Sequence, residues 1–253
     1  MANGTATSEL EREYRRLVEL NRSRDRFLHT VSHELRTPLT SIMSCIDLLG
    51  DPRTGPLSAD QRELVEIVGR GAGRLMTMVE RLLELAGLES GRLTVSRDLV
   101  DLTDLVTRAT QARAGALEEA GLELRADLAA GPPTRADGPR IRLLIEELLR
   151  NAEQHTPPGG RVTVTARAGE DWAVSVADTG VGIAPAEQRT VFDAFTRAGS
   201  APDGQPGSGL GLALGRTVAE LHGGSLGLHS VPGAGTTVTL RLPFAYGPES
   251  PGA

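Results

Sequence analysis

The hydrophobic period changes once along this chain, near residue 90, and that change limits the folds open to it. Up to that point apolar residues recur every three or four positions, as on one face of a helix. Beyond it they alternate or cluster in short blocks, as in strands, with helical stretches between. A single continuous core cannot serve both patterns, so the 253 residues divide into a helical part and a mixed α/β part.

Heptads fit the first part. Tyr14, Asn21, Leu28, Leu35, Ile42 and Leu49 occupy position a, and Leu10, Leu17, Arg24, Val31, Pro38 and Cys45 occupy d. Asn21 and Arg24 are polar at core positions; either they set register or the helix end frays there. The segment DPRTGPL (51–57) is a turn. A second helix follows it, opened by a Ser58/Gln61 capping box and ending near Gly87 or Gly91. Here Val68, Leu75 and Leu82 sit at a, with Leu64, Gly71, Met78 and Leu85 at d. Two helices joined by a short turn form an antiparallel hairpin. A hairpin buries little by itself, so a homodimer completing a four-helix bundle is expected.

From residue 92 the strings LTVS, LELRADL, RVTVTARA, WAVSVAD, SLGLHS and TTVTLRLPF read as strands. Leu102–Ala120, Arg140–His155 and Leu210–His222 read as helices. The fold class expected is α+β: a helical-hairpin dimerisation domain at 9–88, an α/β sandwich at 92–245, and a disordered tail at 246–253.

Composition narrows the function. The net charge of −6 argues against nucleic-acid binding. Every basic residue is Arg, so no lysine can act as nucleophile or phosphate contact. Cys45 is the only cysteine, which rules out an intramolecular disulfide and fits a reducing compartment. No apolar run reaches the roughly 20 residues that span a bilayer, and the opening MANGTATSEL is too polar for a signal peptide. The expectation is a cytoplasmic chain, with membrane attachment only through an upstream segment of a longer protein.

In the first-helix frame His33 falls at position f, pointing away from the bundle. An exposed imidazole is largely neutral at pH 7 and nucleophilic. Glu34 could accept its Nδ1 proton, leaving Nε2 to attack. Pro38 removes a backbone hydrogen bond one turn later and kinks the helix, as a hinge or as a surface shaped for a partner. The nucleophile needs a donor, and four later stretches could build its site. IEELLRNAEQHTPPGG (145–160) places Glu147 and Asn151 one turn apart, with Asn151 a hard ligand suited to Mg²⁺. DTGVGI (178–183) offers Asp178 as an acceptor for an adenine amino group, among glycines that allow close backbone approach. VFDAFTR (191–197) has an aromatic pair, core by default, and Arg197. GSGLGLALGR (207–216) runs glycines into a helix start that can receive phosphate oxygens.

The string FLHTVSHELRTPLTSI (27–42) closely resembles the phosphoacceptor box of bacterial sensor histidine kinases, and the four later stretches resemble their N, first glycine, F and second glycine boxes. These boxes line the Bergerat ATP-binding fold shared with gyrase B. The resemblance covers about residues 25–245. It implies that His33 is autophosphorylated, that Glu34 is its general base, and that Thr37 positions water to dephosphorylate a partner response regulator. It also implies ATP and Mg²⁺ as cofactors, with Asn151 on the metal and Asp178 on adenine. Phe195 and Arg197 belong to the F box. Gly180, Gly182, Gly207, Gly209 and Gly211 shape the pocket and a lid over about 184–208. His155 and His222 match ordinary family positions and are read as structural.

The phosphoryl group would then pass from His33 to an Asp of the regulator's receiver domain. Rival readings are an ATP-binding module that gates a partner without catalysis and a protein biased toward phosphatase activity. Two residues depart from the family's pattern. Gln154 stands where Lys or Arg is usual, so a phosphate contact is missing or comes from Arg150 or Arg197. Glu147 replaces a first Asn, and either activates water for ATP hydrolysis or orders the metal's hydration shell. Counted back from the turn, His33 lies level with residues near Arg74, and three glycines in GRGAG (69–73) make the second helix soft just there.

Overall fold

The computed structural model describes residues 16, 31, 34–196 and 208–245, with only the backbone of Pro52. His33, Arg197 and Gly207 lie outside the described residues, as do the heptad positions before Val31, much of the expected lid, and the tail at 246–253. The chain divides between Leu93 and Thr94 into two compact units.

In the first unit, helix α1 covers 34–50 and continues through Pro38. A 3₁₀ turn at Pro52–Thr54 leads to α2, Ala59–Glu89. The turn is tied by Asp51, which accepts from the Arg53 N–H at 2.9 Å, and by Thr54, whose hydroxyl donates to Leu48 O at 2.8 Å. The capping box forms as expected: Gln61 N–H donates to Ser58 Oγ at 3.2 Å, and Ser58 N–H donates to Gln61 Oε1 at 2.9 Å.

From Leu35 on along α1, and over the first half of α2, the side chains covered within this unit are not the heptad a and d residues; toward the end of α2, Met78 and Leu82 are half-buried and Leu85 is buried, as the heptads expect. Leu39 and Ile46 of α1 and Val65, Gly69, Ala72, Met76 and Val79 of α2 make the covered stripe, spaced by three and four. Ile46 Cγ2 packs where a Cβ on Gly69 would meet it at 3.4 Å. The a and d residues Leu35, Ile42, Cys45 and Leu49 of α1, and Leu64, Val68 and Leu75 of α2, are exposed. Each helix thus carries two apolar stripes, one used inside the chain and one left outside.

The second unit is a two-layer sandwich. A five-stranded sheet has the order β2-β4-β5-β7-β6, with β2 (Glu123–Leu128) parallel to β4 (Arg161–Ala168). Strands β5 (Trp172–Asp178), β6 (Ser225–Val231) and β7 (Gly235–Leu242) pair antiparallel. Period-two alternation sends Val162, Val164, Ala166, Val174, Val176 and Leu240 to one buried face. Helices α3 (Leu102–Glu119), α4 (Gly138–His155) and α5 (Gly211–Leu221) pack on the sheet, burying Leu102, Val106, Ile141, Ile145 and Leu149. The expected strand LTVS is irregular. The strand starts later, as β1 (Asp98–Val100), paired with β3 (Thr134–Ala136), which the sequence pattern did not reveal.

Two polar side chains lock this core. Trp172 is fully buried and its indole N–H donates to Pro132 O at 2.7 Å. His222 is buried; its Nε2 accepts from Asp137 N–H at 2.9 Å, so the proton sits on Nδ1, 2.7 Å from Val218 O. Its position therefore suits the structural role read for it. Among the described residues no helix is long and apolar enough to cross a membrane.

Candidate nucleotide site and phosphoacceptor helix

Asp178 ends β5, and the chain turns sharply after it. Its Oδ1 accepts from Gly180 N–H at 2.8 Å and Thr236 N–H at 3.2 Å. Both bonds fall on one oxygen, so Oδ2 is the oxygen that can face a ligand. Burial pushes the carboxyl pKa above the ordinary aspartate value, while these two N–H bonds and the charge on His155 pull it back. The glycines around it answer to close backbone contact. A Cβ on Gly180 would lie 2.8 Å from Asp178 Oδ1 and also strike His155 O. Gly182 has φ +67°, and a Cβ there would lie 2.7 Å from the Val231 carbonyl carbon.

The β6–β7 turn is the wall that holds this loop, and no motif pointed to it. Ser230 Oγ accepts from Ile183 N–H at 2.8 Å. Gln188 donates to both Ile183 O and Ser230 O at 2.8 Å. Gly235, at φ +108°, lets β7 lie against the Asp178 backbone and so delivers the Thr236 N–H. The only sequence signal was a turn composition, VPGAGTT (231–237).

The F-box aromatics are not core, contrary to their default reading. Phe192 is half-buried beneath Arg216, whose guanidinium carbon stands 5.5 Å from the ring centroid. Phe195 is 57% exposed and has φ +65°, a left-handed conformation costly for a residue with a Cβ. Its N–H donates to Gly209 O at 3.0 Å, and Gly209, at φ +67°, lies directly on the Phe195 backbone. The F box and second glycine box are thus joined at the base of the segment between them.

Helix α5 begins at Gly211, and its N-cap residue Leu210 makes no side-chain capping bond. Its first N–H groups are the kind of donors that receive anions. On α4, Asn151 is half-buried one turn after the buried Glu147. Among the described residues no cluster of three or more His, Cys, Asp or Glu could hold a metal. A cation here would rest on few protein ligands and on phosphate oxygens, the usual way Mg²⁺ is held, and the Asn151 amide oxygen fits that role. In the first unit Glu34 and Thr37 are exposed on α1, three residues apart, directly after the position of His33.

The HisKA family, the His Kinase A (phospho-acceptor) domain, matches residues 23–91. The HATPase_c family, the histidine kinase-, DNA gyrase B- and HSP90-like ATPase, matches residues 136–246. The chain is 38% identical over 228 residues to histidine protein kinase DivJ of Caulobacter vibrioides, covering 89% of this chain and 38% of that protein. It is 35% identical over 241 residues to sensor histidine kinase MtrB of Mycobacterium tuberculosis, covering 94% of this chain and 42% of that one. It therefore spans about two fifths of the length of these relatives. The crystal structure of full-length ShkA in complex with AMPPNP superposes with a TM-score of 0.73 at 30% identity, covering 86% of this chain and 45% of that one. With a phospho-acceptor helical region followed by this ATPase domain, the chain belongs to the sensor histidine kinases and holds both parts of their catalytic core.

Proposed function

We propose that the chain is an ATP-dependent histidine autokinase that passes its phosphoryl group to an aspartate of a response regulator. Residues 9–88 form the dimerisation and phosphotransfer domain and 92–245 the ATP-binding domain. The single observation that carries this reading is the arrangement around Asp178. A carboxylate anchored through one oxygen keeps the other for adenine, amid glycines with no room for a side chain. Gly180 and Gly182 shape the adenine end, and Gly207, Gly209 and Gly211 the phosphate end, with Phe195 and Arg197 at the lid's base. Asn151 would hold Mg²⁺, which supplies charge neutralisation at the phosphates.

In the transfer, the His33 Nε2 lone pair forms a bond to the γ-phosphorus, the bond to the β–γ bridging oxygen breaks, and ADP leaves. Glu34 takes the Nδ1 proton, so no net positive charge is left on the ring. The receiver aspartate then attacks the phosphorus, the bond from phosphorus to Nε2 breaks, and Glu34 returns the proton to Nδ1, so that neutral imidazole is the leaving group. Thr37, exposed on α1, is the residue we assign to positioning water when the regulator is dephosphorylated. The exposed a and d stripes of α1 and α2 supply the homodimer interface of a four-helix bundle. A need for ATP places the chain in the cytoplasm, alone or as the cytoplasmic part of a longer membrane protein.

Incubation with γ-labelled ATP tests this directly. Wild type should acquire acid-labile, base-stable label and His33→Ala should acquire none. Labelling of His33→Ala at the wild-type level would refute the assignment.

A further inference from the structure

We propose that Arg150 is the guanidinium that grips the outer phosphates of the nucleotide, and that Glu147 holds it ready at the start of α5 until they arrive. This rests on the nucleotide-site reading above and adds to it the residue that counts phosphates.

A pair of opposite charges occupies an unusual place on α4. The Glu147 side chain is 10% exposed, yet it carries a carboxylate. Arg150, one turn on along α4, embraces it with two bonds: Nε to Oε2 at 3.1 Å and Nη2 to Oε1. A buried carboxylate needs such a fork, because an uncompensated charge there is costly. The pair also sits against another element. A Cβ on Gly211, the first residue of α5, would lie 2.8 Å from Glu147 Cδ and 2.9 Å from Cγ. Gly211 is thus small so that the carboxylate can lie on the helix start, where Leu210 provides no side-chain cap.

That end of α5 is where phosphate oxygens gain most from helix N–H groups. Phosphates arriving beside Glu147 meet a carboxylate of like charge. The guanidinium that Glu147 already holds removes that conflict if it turns its fork outward. Arg150 can turn, because its side chain is 29% exposed while that of Glu147 is 10% exposed. Two other guanidinium groups of this unit are held elsewhere. Arg113 pairs with Glu153 across α3 and α4, and Arg216 lies on Phe192 and Asp193. On α4, Gln154 carries no charge, and Arg150 is the only arginine between Arg142 and Arg161. Arginine is also the side chain best matched to two phosphate oxygens at once.

The test is calorimetric titration of the whole chain with AMP, ADP and AMPPNP, for wild type, Arg150→Gln, Glu147→Gln and the Glu147→Gln/Arg150→Gln double variant. Circular dichroism melts check folding, and the double variant avoids stranding a buried carboxylate. Arg150→Gln should weaken AMPPNP binding about ten-fold or more, the scale of one charge-assisted bond, and AMP binding less than about two-fold. Glu147→Gln, which frees the guanidinium, should tighten AMPPNP. The double variant should bind AMPPNP as weakly, relative to AMP, as Arg150→Gln does. If the double variant regains the wild-type ratio of AMPPNP to AMP affinity, Arg150 merely neutralises Glu147 and the proposal is wrong. Equal losses for AMP and AMPPNP in Arg150→Gln would overturn it as well. A wild type that binds none of the three nucleotides would overturn the nucleotide-site reading and this proposal together.

Discussion

Asp178→Asn separates the two tasks of one carboxylate. In the folded chain Oδ1 already takes two backbone N–H bonds, from Gly180 and Thr236. An asparagine keeps those bonds only by turning its carbonyl oxygen toward them. Its NH₂ then occupies the place of Oδ2 and presents donors to the amino group of adenine, which is itself a donor. The flipped amide would set donors against Gly180 and Thr236 instead. Losing one charge-assisted bond costs about 1.5–3 kcal/mol, or roughly 10- to 150-fold in affinity for AMPPNP. The opposed donors add to that cost. Stability should move the other way. Burial raises the folded pKa of Asp178 above its unfolded value. The stability it contributes is therefore present in acid and is lost as pH rises through the raised folded value. At pH 7 the ionised side chain is a burden on the nucleotide-free fold, and a neutral amide relieves it. The variant should thus melt no lower than wild type at pH 7, compared by circular dichroism, while calorimetry reports the affinity loss. Acidification into the carboxylate's range should weaken AMPPNP binding in wild type and leave the variant's residual binding flat. AMPPNP affinity within two-fold of wild type would refute the reasoning. A melt well below wild type would show that the ionised carboxylate anchors the turn by more than its burial costs, and would refute the stability argument.

Two further outcomes follow from named contacts. Gly182→Ala meets a left-handed φ and the Val231 carbonyl, and should lose about 2–4 kcal/mol, or about 5–15 °C in the melt. Gly233→Ala, at φ +74° with nothing within 4 Å, should lose only the conformational part, and equal losses at both sites would defeat the packing argument. Val68→Asp places a charge on the exposed apolar stripe of α2 and should shift the chain from dimer to monomer in light scattering; an unchanged mass would move the interface elsewhere.

The sequence marked the residues of the candidate nucleotide site more clearly than it marked the packing of the helical unit. Asp178, Gly180, Gly182, Gly209 and Gly211 were all singled out, because a turn after a strand and positive φ leave a local composition that can be read directly. Ser230, Gly235 and Thr236 were missed. They act from a hairpin some 50 residues later: Thr236 gives a backbone N–H that any residue type but proline could provide, Ser230 a hydroxyl, and Gly235 a left-handed turn, and none of these names its distant partner in the sequence. The heptads were read correctly as apolar, but each helix has two such stripes and periodicity alone does not say which neighbour covers which.

Local chemistry lay open in the chain's order of residues: the change of period near residue 90, the Ser58/Gln61 cap, the glycines at tight turns and the histidine box. Each depends on neighbours within one or two turns of backbone. Tertiary structure alone decided that Leu39 and Ile46, rather than Leu35 and Ile42, are covered inside the chain, and that Phe195 is left exposed. It also decided that Thr236 holds Asp178 and that the Glu147–Arg150 pair rests on Gly211. These contacts join residues about 60 positions apart, and such a register is set by how whole elements pack.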